Sequence, residues 1–321
     1  MRPYIDLHCD TLYEAWCKEK STIHSFPEAM LDGDRLKKAG TMAQFFAIFM
    51  LQKDEKEKFR TNISDEDYIA ALIRTFRNSM GETMAFAGNL SDIRKNTEAG
   101  KISCLLTLED GRAVNGSMEK LEQFYELGIR LISLTWNYAN CFGFPNSFDR
   151  TTMELGLTDF GKDAVIRMQE LGMLVDVSHL SDGGFRDVAE FCKKPFIASH
   201  SNCRSLSPHP RNLTDEMIRT LADHSGIMGI NFCPEFLTKD ITNKHSRIED
   251  MILHLRHMIQ IGGEDIAAIG TDLDGIDGHL EIGSVDRMPL LFDALERAGF
   301  TDGQIEKIAW KNAWRVLEVL G

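Results

Sequence analysis

Histidine and carboxylate side chains recur where short apolar stretches of this sequence give way to turns. Asp6-Leu-His8-Cys-Asp10 closes the first stretch, Leu105-Leu-Thr-Leu-Glu109 another, and Ile269-Gly-Thr-Asp272-Leu-Asp274 the last. Between them, Val175-Asp-Val-Ser-His179 and Phe196-Ile-Ala-Ser-His200 end the same way. Imidazole and carboxylate are good ligands for a zinc-like divalent ion. A bare His-x-Asp is a common chance pattern, and a lone His or Glu at a strand end is more often a hydrogen-bonded structural residue. The repetition at successive strand ends is what argues for a common site. His8 and Asp10, two apart on a strand, would share a face. His8, Asp10, Glu109, His179 and His200 are too many for one tetrahedral ion with an open position, which takes about three protein ligands. They suit two ions if Glu109 bridges, with His8 and Asp10 on one side and His179 and His200 on the other. Two ions about 3.5–4 Å apart can deprotonate a bridging water, giving a hydroxide nucleophile for a carbonyl or phosphorus at neutral pH.

The elements that must position these residues alternate along the whole chain. Strand-length apolar runs occur at 5–8, 43–49, 102–108, 131–134, 174–177, 196–198, 227–232 and 267–270, with helical patterns between them. Phe160, Ala164, Val165, Met168 and Leu171 fall on one helical face, as do Ile69, Leu72, Ile73 and Phe76 within 65–80. Thr214 reads as an N-cap and Thr301-x-x-Gln304 as a capping box. The segment 140–156 reads as a loop-rich insertion, and the charged run 53–60 as a solvated loop or helix. Eight strands with helical crossovers is the count of a (β/α)8 barrel, whose active sites lie at the C-terminal ends of the strands. A doubly wound sheet would want a glycine-rich first turn, which is missing. The expectation is a single barrel domain over 1–321.

Composition narrows the partners. Lys and Arg number 36 against 49 Asp and Glu, a net charge of −13. Such a surface argues against nucleic acid or an anionic membrane as partner. The seven cysteines are scattered without a CxxC pair, which favours a reducing compartment. There is no apolar run of membrane-spanning length. The first residues enter a strand at once and the last ones read as an amphipathic helix. A cytoplasmic protein without leader or anchor is expected, monomeric or homodimeric. The loop after the sixth strand holds Arg204, His209 and Arg211; an arginine there would fork onto a substrate carboxylate or brace the loop. Asp272 is placed to face the pocket, and Asp274 to lie at the turn with Gly275. His224, His245, His254, His257 and His279 read as surface or structural residues.

His8-x-Asp10, Leu108-Glu109-Asp-Gly, Leu134-Thr-Trp136-Asn137, Asp176-Val-Ser-His179, Ser199-His200-Ser, Pro210-Arg211-Asn and Gly270-Thr-Asp272-Leu-Asp-Gly occur in this order. Together they resemble the membrane dipeptidase (renal dipeptidase) family, the M19 metallopeptidases, over nearly the whole chain. The resemblance implies a TIM-like barrel of the amidohydrolase kind and a binuclear zinc centre bridged by Glu109. It implies a dipeptidase of the EC 3.4.13 class acting through a metal-bridging hydroxide, tolerant of a C-terminal D-residue. It gives Arg211 the substrate carboxylate, and gives Asp272 the amino group and proton transfer to the leaving nitrogen. Mammalian relatives are membrane-anchored, so the likeness is to the shorter bacterial branch. One departure stands out. Where mammalian members place a histidine for the substrate carbonyl, this chain has Trp136, whose one donor is the indole N–H. Asn137, Asn140 or the ions alone would then face the oxyanion. Two alternatives remain at this stage: another amidohydrolase-type metal hydrolase, and a metal-binding pseudoenzyme. The first usually begins with His-x-His, and the binuclear ones often bridge with a carbamylated lysine; neither feature is present.

Overall fold

Apolar residues on both faces of a short run are the mark of a strand buried in a parallel sheet, and each of the eight runs forms one. They are β1 (Tyr4–Asp6), β2 (Thr41–Phe49), β3 (Ile102–Glu109), β4 (Ile129–Ser133), β5 (Leu174–Asp176), β6 (Ile197–Ala198), β7 (Ile227–Ile230) and β8 (Ala267–Ile269). The computed structural model describes residues 2–320; Met1 and Gly321, the ends of the expected domain, lie outside the described residues. All pairings between these strands are parallel, each strand lies beside its successor, and β8 lies beside β1. The sheet therefore closes into an eight-stranded barrel with helices outside it, as the alternation predicts.

The two faces of each strand do different work. Ile5, Phe45, Leu105, Leu131, Leu174, Ile197, Ile227 and Ala268 are buried together in the barrel interior, and Ala313, Val316 and Leu317 of the last helical segment join them. Phe46, Ile48, Ile132, Val175, Met228 and Ile269 belong to the outer cluster, against the helices. Side-chain caps fix where helices begin. Thr214 accepts from Met217 N ahead of Asp215–Asp223, and Thr301 and Gln304 form the expected capping box. Each such cap contributes about 1 kcal/mol.

Several boundaries differ from the sequence reading. β1 stops at Asp6, so His8 and Asp10 do not share a strand face by alternation. The Asp6 carboxylate accepts from the backbone N–H of Thr271 (2.9 Å) and of His8 (3.4 Å), replacing ladder partners and ending the strand. An isolated bridge between Cys9 and Leu273 carries the pairing past that point. A short strand, Met84–Phe86, adds to the edge of β3, and His245–Ser246 pairs with His279–Leu280 outside the barrel. Two or three residues carry no readable periodicity. The run 53–60 forms the helix Lys53–Lys58, and the insertion 140–156 holds the short helix Arg150–Met153. All seven cysteines are free.

His254 is structural in a specific way. It is fully buried, its Nδ1 accepts from Cys203 N at 3.0 Å, and its Nε2 donates to Leu237 O at 3.0 Å. Burial pulls its pKa down to about 4, against an ordinary value of 6.5. The unfolded chain therefore takes up a proton below pH 6.5 that the folded chain refuses, and stability is lost as pH falls toward 4. Between pH 7 and 5 this one group accounts for about 2 kcal/mol. In metal-free protein, His254→Gln should lower stability at pH 7 and flatten its decline between pH 7 and 5, as measured by denaturant titration. An unchanged slope would assign the acid sensitivity to other groups.

Candidate metal centre

Two buried aspartates form the floor of the barrel mouth. Asp6 ties three strands together, accepting from Thr271 N (2.9 Å), Thr271 Oγ1 (2.8 Å) and Gln44 Nε2 (3.1 Å). Burial pushes its pKa up, which makes those donors necessary to keep it charged. Asp176 joins strands on the other side of the barrel, accepting from Ser178 N (3.0 Å), Ser199 N (2.8 Å), Ser199 Oγ (2.6 Å) and Ser133 Oγ (2.5 Å). The turns that follow these two aspartates carry His8 and His179, and His200 and Asp272 directly follow the donors Ser199 and Thr271. Both aspartates stand two or three residues before a ligand-type histidine in the sequence, and nothing in that spacing marks them as anchors.

The five expected ligands converge above that floor. His8 Nε2 lies 3.3 Å from Asp10 Oδ2 and 3.5 Å from Glu109 Oε2. His179 Nε2 lies 3.0 Å, and His200 Nε2 3.5 Å, from Glu109 Oε1. One oxygen of Glu109 thus faces each side. Asp272 completes the ring, its Oδ1 3.7 Å from His8 Nε2 and its Oδ2 accepting from Asn231 Nδ2 at 2.8 Å. Asn231 follows β7, and nothing in its spacing marked it. The donor atoms fall into overlapping groups within 4.8 Å of one another: His8, Asp10 and Glu109; Glu109, His179 and His200; His8, His200 and Asp272.

Orientation and charge suit a cation. His200 Nδ1 pairs with Ser199 Oγ at 2.7 Å, and that hydroxyl donates to Asp176, so the ring offers Nε2 to the centre. Asn137 Oδ1, 3.3 Å from His179 Nδ1, sets the second ring the same way. Burial, with Arg211 nearby, pulls His179 down to about 4, and burial together with His8 takes His200 well below its ordinary value. Both present neutral lone pairs. Burial opposes charge on His8 too, but Glu109 and Asp10 raise its pKa well above the usual range. Burial and the Glu109 charge push Asp10 up to about 8. The carboxylates therefore demand positive charge at this point. His8 Nε2 and Asp10 Oδ1 are buried without a hydrogen-bond partner among the described residues, an arrangement costing about 1–3 kcal/mol per atom that a bound ion would relieve. The donor set fits divalent metal.

The centre opens into a cleft of about 1090 Å³ lined by Trp136, Asn137, His209, Arg211, Asp272 and Gly275 among others. Arg211 is 5% exposed; it donates to Ser201 Oγ (3.3 Å) and His200 O (3.1 Å), and its Nε has no partner. Arg204 is a brace, forked onto Asp182 at 2.7 and 2.8 Å. Asn140 is engaged as well, by Asp110 Oδ1 (2.8 Å), Leu134 O (2.9 Å) and Phe142 N (2.8 Å), and is not free for an oxyanion. Trp136 forms a wall, edge-on to Phe49 at 5.0 Å. Asp274 accepts from Thr11 Oγ1 (2.5 Å) and Met30 N (2.6 Å), bracing neighbouring segments as its place at the turn suggested.

A family model described as membrane dipeptidase (peptidase family M19) matches residues 1–320. A protein from the region 5′ of pqqA in Klebsiella pneumoniae, itself uncharacterised, is 35% identical over 78% of this chain and 93% of its own length. An uncharacterised dipeptidase of Schizosaccharomyces pombe is 30% identical over 85% of this chain and 68% of its own. Among solved structures, dipeptidase AC, an M19 metallopeptidase, is 26% identical with a TM-score of 0.88, covering 99% of this chain and 98% of that one. A Rhodobacter sphaeroides metallopeptidase bound to a phosphinate mimic of L-Ala-D-Ala has the same fold, with a TM-score of 0.89 at 24% identity over 100% of this chain and 99% of that one.

Gly275 shows how tightly the carboxylates are packed. A Cβ there would stand 2.1 Å from Asp10 Oδ2 and 2.8 Å from Asp272 Oδ1. Both contacts are to side-chain tips at the cleft, so the fold can absorb the methyl only by displacing those carboxylates. Gly275→Ala should melt cooperatively near the wild-type temperature yet retain clearly less divalent metal on dialysis. Wild-type retention would mean that the two aspartates have room to move.

Proposed function

The chain belongs to the membrane dipeptidase family, peptidase family M19, and from that premise we propose that it is a zinc-dependent dipeptidase holding two divalent ions per chain. One observation carries the reading: two histidine–carboxylate ligand groups share Glu109 at the mouth of a barrel, in the same cleft as a buried arginine without a carboxylate partner. His8 and Asp10 would hold one ion, His179 and His200 the other, with Glu109 between them. Bound there, the ions supply Lewis acidity, polarising a carbonyl and acidifying water at neutral pH.

The remaining work falls to the chain's own side chains. Arg211 is a fixed cation whose desolvation cost is offset when a substrate carboxylate reaches it. A longer peptide has no carboxylate at that point, which limits the substrate to two residues. Asp272 has one oxygen held by Asn231 and one facing the centre. Burial and the Glu109 charge push its pKa up to about 6, a value at which a carboxyl can accept a proton and return it to a leaving amine near neutrality. Trp136 would exclude water from the wall of the site. Acceptance of a C-terminal D-residue follows from the family resemblance, and the R. sphaeroides structure holds a mimic of such a dipeptide.

Protein purified without chelator should contain close to two zinc equivalents and hydrolyse L-Ala-D-Ala, with activity lost to chelator and restored by zinc. A metal content near one in fully active protein would sink the two-ion assignment. Glu109→Gln should reduce occupancy of both sites, whereas His200→Ala should mainly empty one.

Side-chain roles separate kinetically. Arg211→Ala should raise KM for free dipeptides, at about 2–5 kcal/mol for loss of a buried charged contact, and should largely abolish discrimination against the C-terminal amide. Asp272→Asn should keep its metal and lower kcat roughly 10²–10⁴-fold. Loss of metal in that variant would make Asp272 a ligand instead.

A further inference from the structure

The loop that delivers Arg211 delivers a second side chain to the same cleft. His209 stands two residues before it and lines the cleft wall. Its ring is bracketed by Phe236, centroids 4.6 Å apart, and Phe148, edge-on at 5.1 Å. The guanidinium of Arg211 lies over the same Phe236 ring, with Cζ 5.4 Å from its centroid. The imidazole and the guanidinium thus border one region.

The tautomer of His209 is dictated by the backbone. Its Nδ1 lies 3.1 Å from Arg211 N. A backbone N–H only donates, so Nδ1 must accept, and a neutral imidazole then carries its proton on Nε2. Burial and the Arg211 charge hold the pKa down to about 4, which keeps the ring neutral. Among the described residues, no acceptor is within hydrogen-bond reach of that Nε2–H. The ring cannot accept from a substrate amine at Nδ1 and cannot donate there either. What it offers the cleft is one N–H donor, held in place by two aromatic neighbours.

We propose that His209 is a specificity-determining residue, its Nε2–H a second donor to the terminal carboxylate held by Arg211. The inference rests on the dipeptidase reading of Arg211 and extends it. Two η-nitrogens of Arg211 are already committed in part to Ser201 and the His200 carbonyl, and a carboxylate has room for further donors. A neutral donor adds affinity for an anion without adding a second buried charge beside Arg211.

The test compares zinc-loaded wild type, His209→Phe and His209→Gln on L-Ala-D-Ala and on its C-terminal amide. Phenylalanine keeps the aromatic packing and removes the donor; glutamine returns an N–H at a similar reach. A hydrogen bond to a charged group lost in this way corresponds to roughly 10- to 100-fold. His209→Phe should raise KM for the free dipeptide by that factor, leave kcat within about threefold, and leave KM for the amide, metal content and melting temperature unchanged. His209→Gln should recover most of the loss. An unchanged KM in His209→Phe, or an equal rise for acid and amide, overturns the proposal. If Arg211→Ala loses the preference for the free acid while His209→Phe keeps it, the proposal alone falls. If wild type does not distinguish acid from amide, the Arg211 reading falls and takes this one with it.

Discussion

Two aspartates that lie outside the cleft lining set the geometry of the turns above them. Asp6 and Asp176 are fully buried, each surrounded by backbone and hydroxyl donors from neighbouring strands. A carboxylate inside a barrel is tolerated only when such donors satisfy it, and those donors come from the segments that carry the site. Asp6 fixes the turns leading to His8 and Asp272; Asp176 fixes those leading to His179 and His200. The serine between Asp176 and His200 also selects the tautomer of His200, so backbone placement and ring chemistry share one anchor.

The floor also holds backbone that would not otherwise stay put. His179, Asp272 and Asp274 have φ of 68°, 64° and 68°, and Asp110, next to Glu109, has 73°. Left-handed conformations at non-glycine positions cost of order 1–3 kcal/mol and persist where the surroundings over-determine them. At His179 the surroundings are visible. Its carbonyl accepts from Asn146 N (2.7 Å), Asn146 Nδ2 (3.1 Å) and Thr135 Oγ1 (3.2 Å). The rigid barrel below supplies the stability that these turns spend in aiming imidazole and carboxylate at one point.

The eight strands and the five convergent ligands were legible because parallel strands are apolar on both faces, and a ligand after such a run stands out. Asp6 and Asp176 were not legible as a floor, since a carboxylate beside a ligand reads as another ligand or as surface. Asn231 follows an apolar run and carries no charge, so only its contact with Asp272 distinguishes it. Gly275 is required by the two carboxylates that a methyl would meet, a demand made across the fold from residue 10. Arg204 and Arg211 were equivalent in the sequence, two cations in one loop. The acidic partner that separates them, Asp182, lies on a different helix.

The barrel closes where the two ends of its strand order meet, and that closure is thin. β1 and β8 share a single register pair, Asp6 with Ile269, as β5 and β6 share only Asp176 with Ile197; the seam is continued by the backbone bonds from Leu7 N to Ile269 O (3.0 Å) and from Asp272 N to His8 O (3.2 Å), the Cys9–Leu273 bridge and the Asp6–Thr271 bonds. By contrast, β2 and β3 are paired over seven positions. Asp6 and Thr271, joined at this seam, are 265 apart in the chain, so its closure bears a larger loop entropy than that of any other pair of neighbouring barrel strands. A transient parting along that line would draw His8 and Asp10 away from Asp272 while the β2–β3 side remained paired. The bonds that Asp6 draws across that line therefore keep a histidine from one end of the chain beside an aspartate from the other.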